Sequence, residues 1–248
     1  MRALLSTFGL CLALAGPALP EGLTDMTEAE RAAFGEAVRA YLVENPEVII
    51  EAMTVYQSRQ EQAEAASDQE LVATNAAEIF EDPNSWVGGN LQGDYTVVEF
   101  MDYRCGYCKK AFEEVAELVR ADGNIRFILK EFPILGEESM ITSRFAIAVL
   151  QLHGADAYKA AHDALMTLRG APDQPTLLRL AGDLGLDAAA VLDRMNADEV
   201  TAVIAANHAL ADKLAISGTP TFVMGGQMLR GYVPLDAMQA IVAEARGG

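Results

Sequence analysis

The sequence predicts an α/β fold with an inserted helical sub-domain and an N-terminal helical extension, and three observations lead to this prediction. First, apolar strand patterns at 95–101 and 125–131 flank a helical pattern, as in a unit of two parallel strands joined by a helix. Second, two short strand patterns flank Gly225-Gly226, the signal of a two-residue β-hairpin. Third, residues 137–214, between these strand pairs, are almost entirely helical in pattern. Strands on both sides of the helical block predict an insertion within one domain.

The first 18 residues have the organisation of a secretory signal peptide. Arg2 supplies a positive charge, and the apolar stretch 4–15 is too short to span a bilayer. Small residues precede a cleavage point after Ala18. A buried N-terminal helix is the alternative, but the three features in this order favour export to the periplasm as a soluble protein. Cys11 is not preceded by the small residues expected before a lipidated cysteine.

Residues 24–80 are predicted to be a helical segment separate from the main domain at 85–246. Thr27 precedes Glu30 by three positions, as in a capping box at the start of a helix. Asn45-Pro46 then interrupts the pattern, because proline disfavours helix at the preceding residue and suits the first turn of a new helix.

The helical segment changes from apolar to polar along its length. Residues 57–69 are almost all polar or alanine, which indicates a solvated stalk or a mobile linker. The apolar side chains of 24–56 need a covering surface. Packing against the main domain would provide one, but we favour self-association into a homo-oligomer, a dimer or a trimer, through residues 24–56.

Turn clusters and apolar runs define the elements of residues 85–246. A short edge strand at 85–87 lies between turn clusters at 82–84 and 88–90. The further predicted elements are a strand at 95–101, a helix at 105–121, a strand at 125–131, four or five helices at 137–214, strands at 221–224 and 227–230, and a helix at 234–245.

The charge and the cysteine content limit the classes of function that the chain can have. The chain has 18 Lys and Arg against 36 Asp and Glu, a net charge of -18, which disfavours nucleic acid and anionic lipid surfaces as partners. After signal removal, only Cys105 and Cys108 remain. A disulfide between them closes a very short loop and removes little entropy from the unfolded chain. Redox chemistry therefore explains the pair better than stabilisation does.

Cys105 and Cys108 are placed where a strand is followed by a helix. A sulfur at a helix N-terminus meets free backbone N–H groups and the positive end of the helix dipole, which lower the pKa of its thiol. Cys108, one turn later, can close a disulfide with it. This arrangement predicts Cys105 as the attacking thiol and Cys108 as the resolving thiol.

Metal binding is the rival interpretation of the two cysteines. Zinc needs four ligands, and the three histidines, His153, His162 and His208, have no paired spacing and are expected at the surface or at helix ends. No metal site and no cofactor are therefore predicted. Copper(I) can use two thiolates alone, so a Cu(I)-handling protein stays open as an alternative.

Three segments resemble the DsbA-like branch of the thioredoxin superfamily. They are VEFMDYRCGYCK at 98–109, KEFPILG at 130–136 and GTPTF at 218–222. Residues 24–80 are similar to the N-terminal extension of ScsC-like members, which mediates oligomerisation. The resemblance implies a thioredoxin-like fold over about 85–246, with the helical insertion that this branch contains.

The resemblance also implies roles for individual residues. It implies a cis peptide bond before Pro220, with Thr219 turned outward to pair with an extended substrate. It implies that Glu99 is a buried acid that exchanges protons with Cys108, since its strand is otherwise apolar and a buried carboxylate is costly unless paired or protonated. Lys130 and Arg126 on the next strand are both candidates for the charge partner of Glu99. A solvent-facing Glu99 on an edge strand is the alternative.

Gly106 and Tyr107, between the cysteines, are expected to contact substrate and to set the redox character. In strongly oxidising relatives a histidine there stabilises the thiolate, whereas neither of these residues carries a positive charge. We expect a higher pKa for Cys105 and a less oxidising couple than in those relatives. The Cys-Gly-Tyr-Cys motif with Thr219 resembles disulfide isomerases such as DsbC.

The predicted function is therefore a disulfide isomerase or reductase. Its expected partners are unfolded or misoxidised exported proteins and a membrane redox partner that resets the cysteines. A disulfide-donating oxidase of the DsbA type stays open as an alternative.

Overall fold

The computed structural model describes residues 26–247 and divides the chain into two units, one ending at Gln60 and one beginning at Glu61. The predicted signal peptide at 1–18 lies outside the described residues. The helices are α1 (Glu28–Glu44), α2 (Glu47–Thr74), α3 (Ala76–Phe80), α4 (Gly106–Asp122), α5 (Glu137–Thr167), α6 (Gln174–Asp183), α7 (Ala188–Arg194), α8 (Asp198–Lys213) and α9 (Leu235–Ala245). The strands are β1 (Trp86–Gly89), β2 (Tyr95–Met101), β3 (Ile125–Glu131), β4 (Thr221–Met224) and β5 (Gln227–Arg230). None of the helices within 26–247 is long and apolar enough to cross a membrane.

The first unit contains α1 and the first half of α2. The capping box that the sequence predicts is present, because the Thr27 hydroxyl accepts from the Glu30 backbone and the Glu30 carboxylate accepts from the Thr27 backbone. The predicted interruption at Asn45-Pro46 separates α1 from α2. No residue of α1 is buried, so its apolar side chains face outward.

The second unit is built on a five-stranded sheet with the order β1-β3-β2-β4-β5. The central strands β2 and β3 are parallel, and the other neighbouring pairs are antiparallel. The predicted bounds of β2 to β5 are confirmed. The predicted turn at Gly88-Gly89 is wrong, since both residues belong to edge strand β1. Gly88 packs so closely on the Trp86 ring that an added Cβ would lie 2.1 Å from it, and this contact is available only to glycine.

Apolar side chains cover both faces of the sheet. One face packs on α4, α5 and α9, whereas the other packs on α8 and on Val72 and Ile79 from α2 and α3. Burial of such side chains stabilises the fold by about 1.5–3 kcal/mol each. The N-terminal helical segment predicted from the sequence extends to residue 80, but in the structure residues 61–80 pack in the same unit as the sheet.

The end of the polar stretch 57–69 is itself part of the second unit. Asp68 is only 9% exposed, and its carboxylate accepts two hydrogen bonds from Arg230, at 2.6 and 2.9 Å. A two-point ion pair of this kind fixes orientation as well as distance. Asp68 therefore secures the end of α2 to edge strand β5.

Helices α5 to α8 form the insertion between β3 and β4. Gly154, with a φ of 82°, breaks α5 into two parts, so the block contains the four or five helices that the sequence predicts. The insertion positions Tyr158 and His162 of the second part of α5 against the face of the sheet that also carries α4.

Candidate active site

Cys105 occupies the junction between β2 and α4. It is the N-cap of α4, with extended backbone dihedral angles, and its Sγ accepts a hydrogen bond from the Cys108 backbone at 3.4 Å. This places the sulfur beside the unpaired N–H groups at the positive end of the helix. The structure thus has the strand-to-helix position that the sequence predicts for this thiol, and both cysteines are free thiols.

The Thr219-Pro220 loop lies beside Cys105 because β4 runs antiparallel to β2. Phe100, near the end of β2, pairs with Thr221 at the start of β4. The residues just before β4 therefore reach the carboxyl end of β2, where Cys105 begins the helix. The Cys105 Sγ lies 3.1 Å from the Thr219 carbonyl oxygen, and the peptide bond before Pro220 is cis, as expected.

Hydrogen bonds lower the pKa of Cys105 to about 5, from an ordinary value of 9.0. The largest contribution is the hydrogen bond from the Cys108 thiol, followed, against the opposing effect of burial, by those from the Thr219 side chain and the backbones of Cys108 and Tyr107. Each of these donors stabilises the thiolate relative to the thiol. Cys105 is therefore the more acidic of the two thiols and the better nucleophile at neutral pH.

Cys108 has the opposite environment. Its side chain is fully buried, and burial, the hydrogen bond with Cys105 and the negative charge of Glu99 together raise the pKa of its thiol far above the usual range. A thiol in this state holds its proton until a nearby base accepts it. The site therefore contains one thiol ready to attack and a second that needs deprotonation.

Glu99 lies in the middle of the central strand β2, between Leu129 of β3 and Phe222 of β4. The alternative of a solvent-facing edge position is wrong, since the residue is 3% exposed. Its Oε1 atom has no hydrogen-bond partner among the described residues. Burial, and next the negative charge of Cys105, raise the pKa of this carboxyl to about 8.

Neither candidate charge partner of Glu99 contacts it. Lys130 pairs with Asp82 at 2.7 Å, and Arg126 donates to the Phe80 carbonyl at 3.1 Å. The reason is the alternation of side chains along a strand. Glu99 is level with Leu129, so the neighbouring even-numbered positions of β3, 126 and 130, face the opposite side of the sheet.

Gly106 and Tyr107 form the outer surface of the motif. A side chain at Gly106 would meet no atom within 4 Å, so the surface over this residue is open. Tyr107 is 63% exposed and lies 6.5 Å from the ring of Tyr232. Tyr232 is itself held by Glu114, which accepts from its hydroxyl at 2.6 Å, and by Lys110, whose Nζ lies 3.8 Å from the ring centre. Two tyrosines thus border the site on this side.

Asp102, a buried residue that was not predicted from the sequence, shapes the turn before Cys105. Its Oδ1 accepts from the Arg104 backbone at 2.7 Å, and its Oδ2 accepts from the backbones of Ile134 and Leu135 at 2.8 and 3.1 Å. The carboxylate therefore connects the active-site turn to the loop after β3. An aspartate directly after a buried strand was the available signal.

Glu131 was also missed, and it is the centre of a buried polar network. Its Oε1 accepts from the hydroxyls of Tyr103 and Tyr158 at 2.8 and 2.6 Å, and its Oε2 from Ser143 at 2.8 Å. Burial raises the pKa of Glu131 to about 7 despite these three donors. A second carboxylate in an apolar strand pattern could have been recognised by the same reasoning that singled out Glu99.

His162 joins this network, so the prediction that it lies at the surface or at a helix end is wrong. It is 3% exposed, and its Nδ1 lies 3.1 Å from the Tyr103 hydroxyl. Burial lowers the pKa of its imidazole to about 3, so it is neutral at physiological pH. Across residues 26–247, no three His, Cys, Asp or Glu side chains are grouped as metal ligands.

The parallel β2–α4–β3 unit, the cysteine pair at the start of α4 and the adjoining cis-proline loop define a protein of the thioredoxin-like class. Residues 96–243 match the model of the DSBA-like thioredoxin domain, and the chain belongs to this family. Residues 30–63 match the N-terminal domain of the copper resistance protein ScsC.

Solved structures agree with this assignment. A thioredoxin-like oxidoreductase from Silicibacter pomeroyi is 44% identical, with a TM-score of 0.65 over 69% of this chain and 98% of that one. The thiol-disulfide exchange protein alpha-DsbA2 from Wolbachia pipientis is 27% identical, with a TM-score of 0.69 over 73% of this chain and 97% of that one. The Na(+)/H(+) antiporter NhaA 1 of Salinispora arenicola is 33% identical over 65% of this chain, and the chain spans about a quarter of the length of such curated relatives.

Proposed function

We propose that this protein is a thiol-disulfide oxidoreductase that reduces or isomerises disulfides in exported proteins. The observation that carries this proposal is the position of the Cys105 sulfur, at the start of α4 and 3.1 Å from the Thr219 carbonyl oxygen. The start of the helix stabilises the thiolate, and a substrate that pairs with Thr219 would have its disulfide next to the nucleophile.

The reaction has two steps. In the first, the Cys105 thiolate attacks one sulfur of a substrate disulfide, and the other substrate sulfur leaves as a thiolate. In the second, the ionised form of Glu99 takes the proton of Cys108, and the Cys108 sulfur attacks Cys105. This attack releases the remaining substrate thiolate and closes the Cys105–Cys108 disulfide. An isomerase also uses the reverse of the first step, when another substrate thiolate displaces Cys105.

Four residues are proposed to bind the substrate. Thr219 and Pro220 present the backbone of the loop beside Cys105, and Gly106 and Tyr107 provide the exposed surface between the cysteines. Main-chain pairing accepts any extended sequence, because it does not depend on the substrate side chains. This mode of binding suits an enzyme that acts on many misoxidised proteins.

The acidity of Cys105 favours an isomerase or reductase over a strong oxidase. A pKa of about 5 lies between the values of about 7 in thioredoxin and about 3.5 in DsbA. Since a more stable thiolate makes the disulfide more oxidising, this comparison predicts a couple less oxidising than that of DsbA, at about -120 mV.

The exposed apolar side chains of the first unit support self-association through residues 24–56. Phe34, Val38 and Tyr41 follow helical spacing along α1 and are at least 40% exposed. The match of residues 30–63 to the ScsC N-terminal domain agrees with this role. We place the protein in the periplasm, where a membrane redox partner would return Cys105 and Cys108 to the dithiol state.

The proposal is tested by measuring the reduction potential of the couple, together with insulin reduction and the reactivation of a scrambled disulfide protein. We expect a potential less oxidising than that of DsbA, activity in both assays, and loss of both activities in Cys105→Ser. A potential near that of DsbA with no isomerisation would instead identify an oxidase. Tight, stoichiometric Cu(I) binding without insulin reduction would identify a copper-handling protein.

A further inference from the structure

A cavity of about 210 Å³ adjoins Glu99 on the side of the sheet that carries α4. Trp86, Phe112, Phe127 and Leu129 provide most of its apolar wall, and Glu99 and His162 provide polar groups. Ala116, Arg120 and Lys159, which also border the cavity, connect it to the surface: Ala116 is exposed, and the side chains of Arg120 and Lys159 are 75% and 44% exposed.

The Glu99 side chain borders this cavity. Its Oε1 atom is buried and has no hydrogen-bond partner among residues 26–247, and an unpaired buried oxygen costs about 1–3 kcal/mol. A water molecule that reached the carboxyl group from the cavity would remove that cost. A single water needs only about 10–15 Å³ by the same measure, so the cavity has room for several.

The buried network determines which ring nitrogen of His162 donates a hydrogen bond and which one accepts. In its ionised form Glu131 can only accept, so the Tyr103 hydroxyl donates its one proton to Glu131. The Tyr103 oxygen must then accept from Nδ1–H of His162. Because burial keeps this imidazole neutral, its Nε2 carries a lone pair and accepts hydrogen bonds.

A route for the proton is needed in the second step of the proposed reaction. Cys108 is fully buried and Cys105 is 6% exposed, and a substrate bound to Cys105 would cover what remains accessible on that side. Glu99 borders the cavity that leads away from the cysteines towards Arg120 and Lys159.

We propose that this cavity carries the proton of Cys108 from Glu99 to solvent through water, and that His162 is the positioning residue that orients the water next to Glu99. The inference rests on the proposed function. The Cys108 thiol gives its proton to the Glu99 carboxylate, while the sulfur electron pair forms the bond to Cys105. The substrate sulfur leaves as a thiolate with the electron pair of the broken bond. Glu99 then gives its proton to water in the cavity, which returns the carboxylate.

The test separates the two steps with glutathione disulfide as substrate. Reduced protein is mixed with it and quenched with acid, and mass spectrometry follows the formation and decay of the mixed disulfide on Cys105. His162→Leu should slow the decay of the mixed disulfide by about tenfold and should leave its formation unchanged. A tenfold effect is a modest part of what a positioned proton acceptor contributes. His162→Gln, which keeps an acceptor, should recover most of the rate. His153→Leu, at an exposed site of α5 just before the break at Gly154, is the matched control and should behave as wild type.

A second variant tests the cavity without changing a buried polar group. Ala116→Phe adds a large side chain at the exposed end of the cavity, whereas Ala121→Phe makes the same change at an exposed position of α4 that does not border it. We expect Ala116→Phe to slow decay and Ala121→Phe to leave it unchanged. The decay of the mixed disulfide in wild type should also be slower in heavy water, because a proton is transferred in this step.

The outcomes distinguish the inference from the function on which it rests. If wild type forms no mixed disulfide, the proposed function is wrong. If the mixed disulfide of Glu99→Gln decays at the wild-type rate, Glu99 is not the proton acceptor, and the proposed cavity route is also wrong. If the mixed disulfide decays slowly in Glu99→Gln, but decays within about twofold of the wild-type rate in both His162→Leu and Ala116→Phe, only the cavity route is overturned.

Discussion

The sulfur of Cys105 lies 3.1 Å from the carbonyl oxygen of Thr219, although 114 positions separate the two residues in the sequence. The antiparallel pairing of β4 with β2 creates this contact, because it places the start of β4 beside the end of β2. The nucleophile and the backbone proposed to hold the substrate are therefore fixed by the central strands of the sheet rather than by a mobile loop. The sheet sets the position of the Cys105 sulfur, and the neighbouring hydrogen-bond donors lower the pKa of its thiol.

Removal of the Cys108 thiol should raise the pKa of Cys105. Its hydrogen bond is the largest contribution to the lowered value of about 5, so in Cys108→Ala the pKa should be higher by at least about one pH unit. Cys108→Ser keeps an O–H donor and should raise it less. The measurement is the ultraviolet absorbance of the thiolate against pH. An equal pKa in Cys108→Ala and in wild type would show that the backbone donors alone stabilise the thiolate.

Thr219→Val should make the couple more reducing. The valine keeps the shape of the side chain but loses the hydroxyl that donates to the Cys105 thiolate. A thiol pKa that is higher by about one pH unit means a thiolate less stable by about 1.4 kcal/mol, which corresponds to about 30 mV for a two-electron couple. Because the reduced form is the one destabilised, the potential should fall by about this amount, as measured by equilibration with glutathione. Thr219→Ser, which retains the hydroxyl, should stay close to wild type.

Glu99→Gln should remove a pH-dependent loss of stability. The folded protein holds the Glu99 proton up to a pKa of about 8, whereas the unfolded chain releases it near 4.5. The folded state thus binds more protons between these two pH values, so the free energy of unfolding should fall as pH rises through this window. The slope should be at most about 1.4 kcal/mol for each pH unit. Urea unfolding at pH values across the window measures the effect.

The difference between wild type and Glu99→Gln at each pH gives the contribution of this carboxyl together with its coupling to the Cys105 thiolate. Glu131, with a pKa raised to about 7, contributes a fall of the same sign to both proteins. His162, with a pKa lowered to about 3, affects both only below its ordinary value of 6.5. A difference in unfolding free energy that does not change with pH would show that Glu99 is ionised in the folded state.

Local patterns were sufficient to predict most elements of the second unit. The strands at 95–101 and 125–131 are apolar runs bounded by turn residues, and the hairpin at Gly225-Gly226 has a turn that only glycine adopts readily. The edge strand β1 was harder, since Gly88 and Gly89 resemble a turn. The packing of Gly88 on the Trp86 ring accounts for a glycine at this position of the strand.

The surroundings of Glu99 were harder to predict than the positions of the candidate site residues. Both cysteines and Glu99 were recognisable, because a charged residue in an apolar strand and a cysteine pair at a helix start are local signals. The lack of contact between Glu99 and its two candidate partners, Lys130 and Arg126, was not recognisable, since it depends on which residues of β3 share the face of Glu99. That relationship is set by the register of Glu99 with Leu129, which no single segment contains.

Disruption of the exposed apolar face of α1 should separate the proposed oligomer into single chains. Val38 and Tyr41 are 40% and 56% exposed and three positions apart, so Val38→Glu with Tyr41→Glu places two charges where chains would meet. Light scattering should then give the mass of one chain, and isomerisation of a scrambled protein should fall while insulin reduction stays unchanged. Arg39→Glu, exposed on the same helix, is the control and should remain an oligomer. A monomeric wild-type protein, or an oligomer that survives the double change, would contradict self-association through this face.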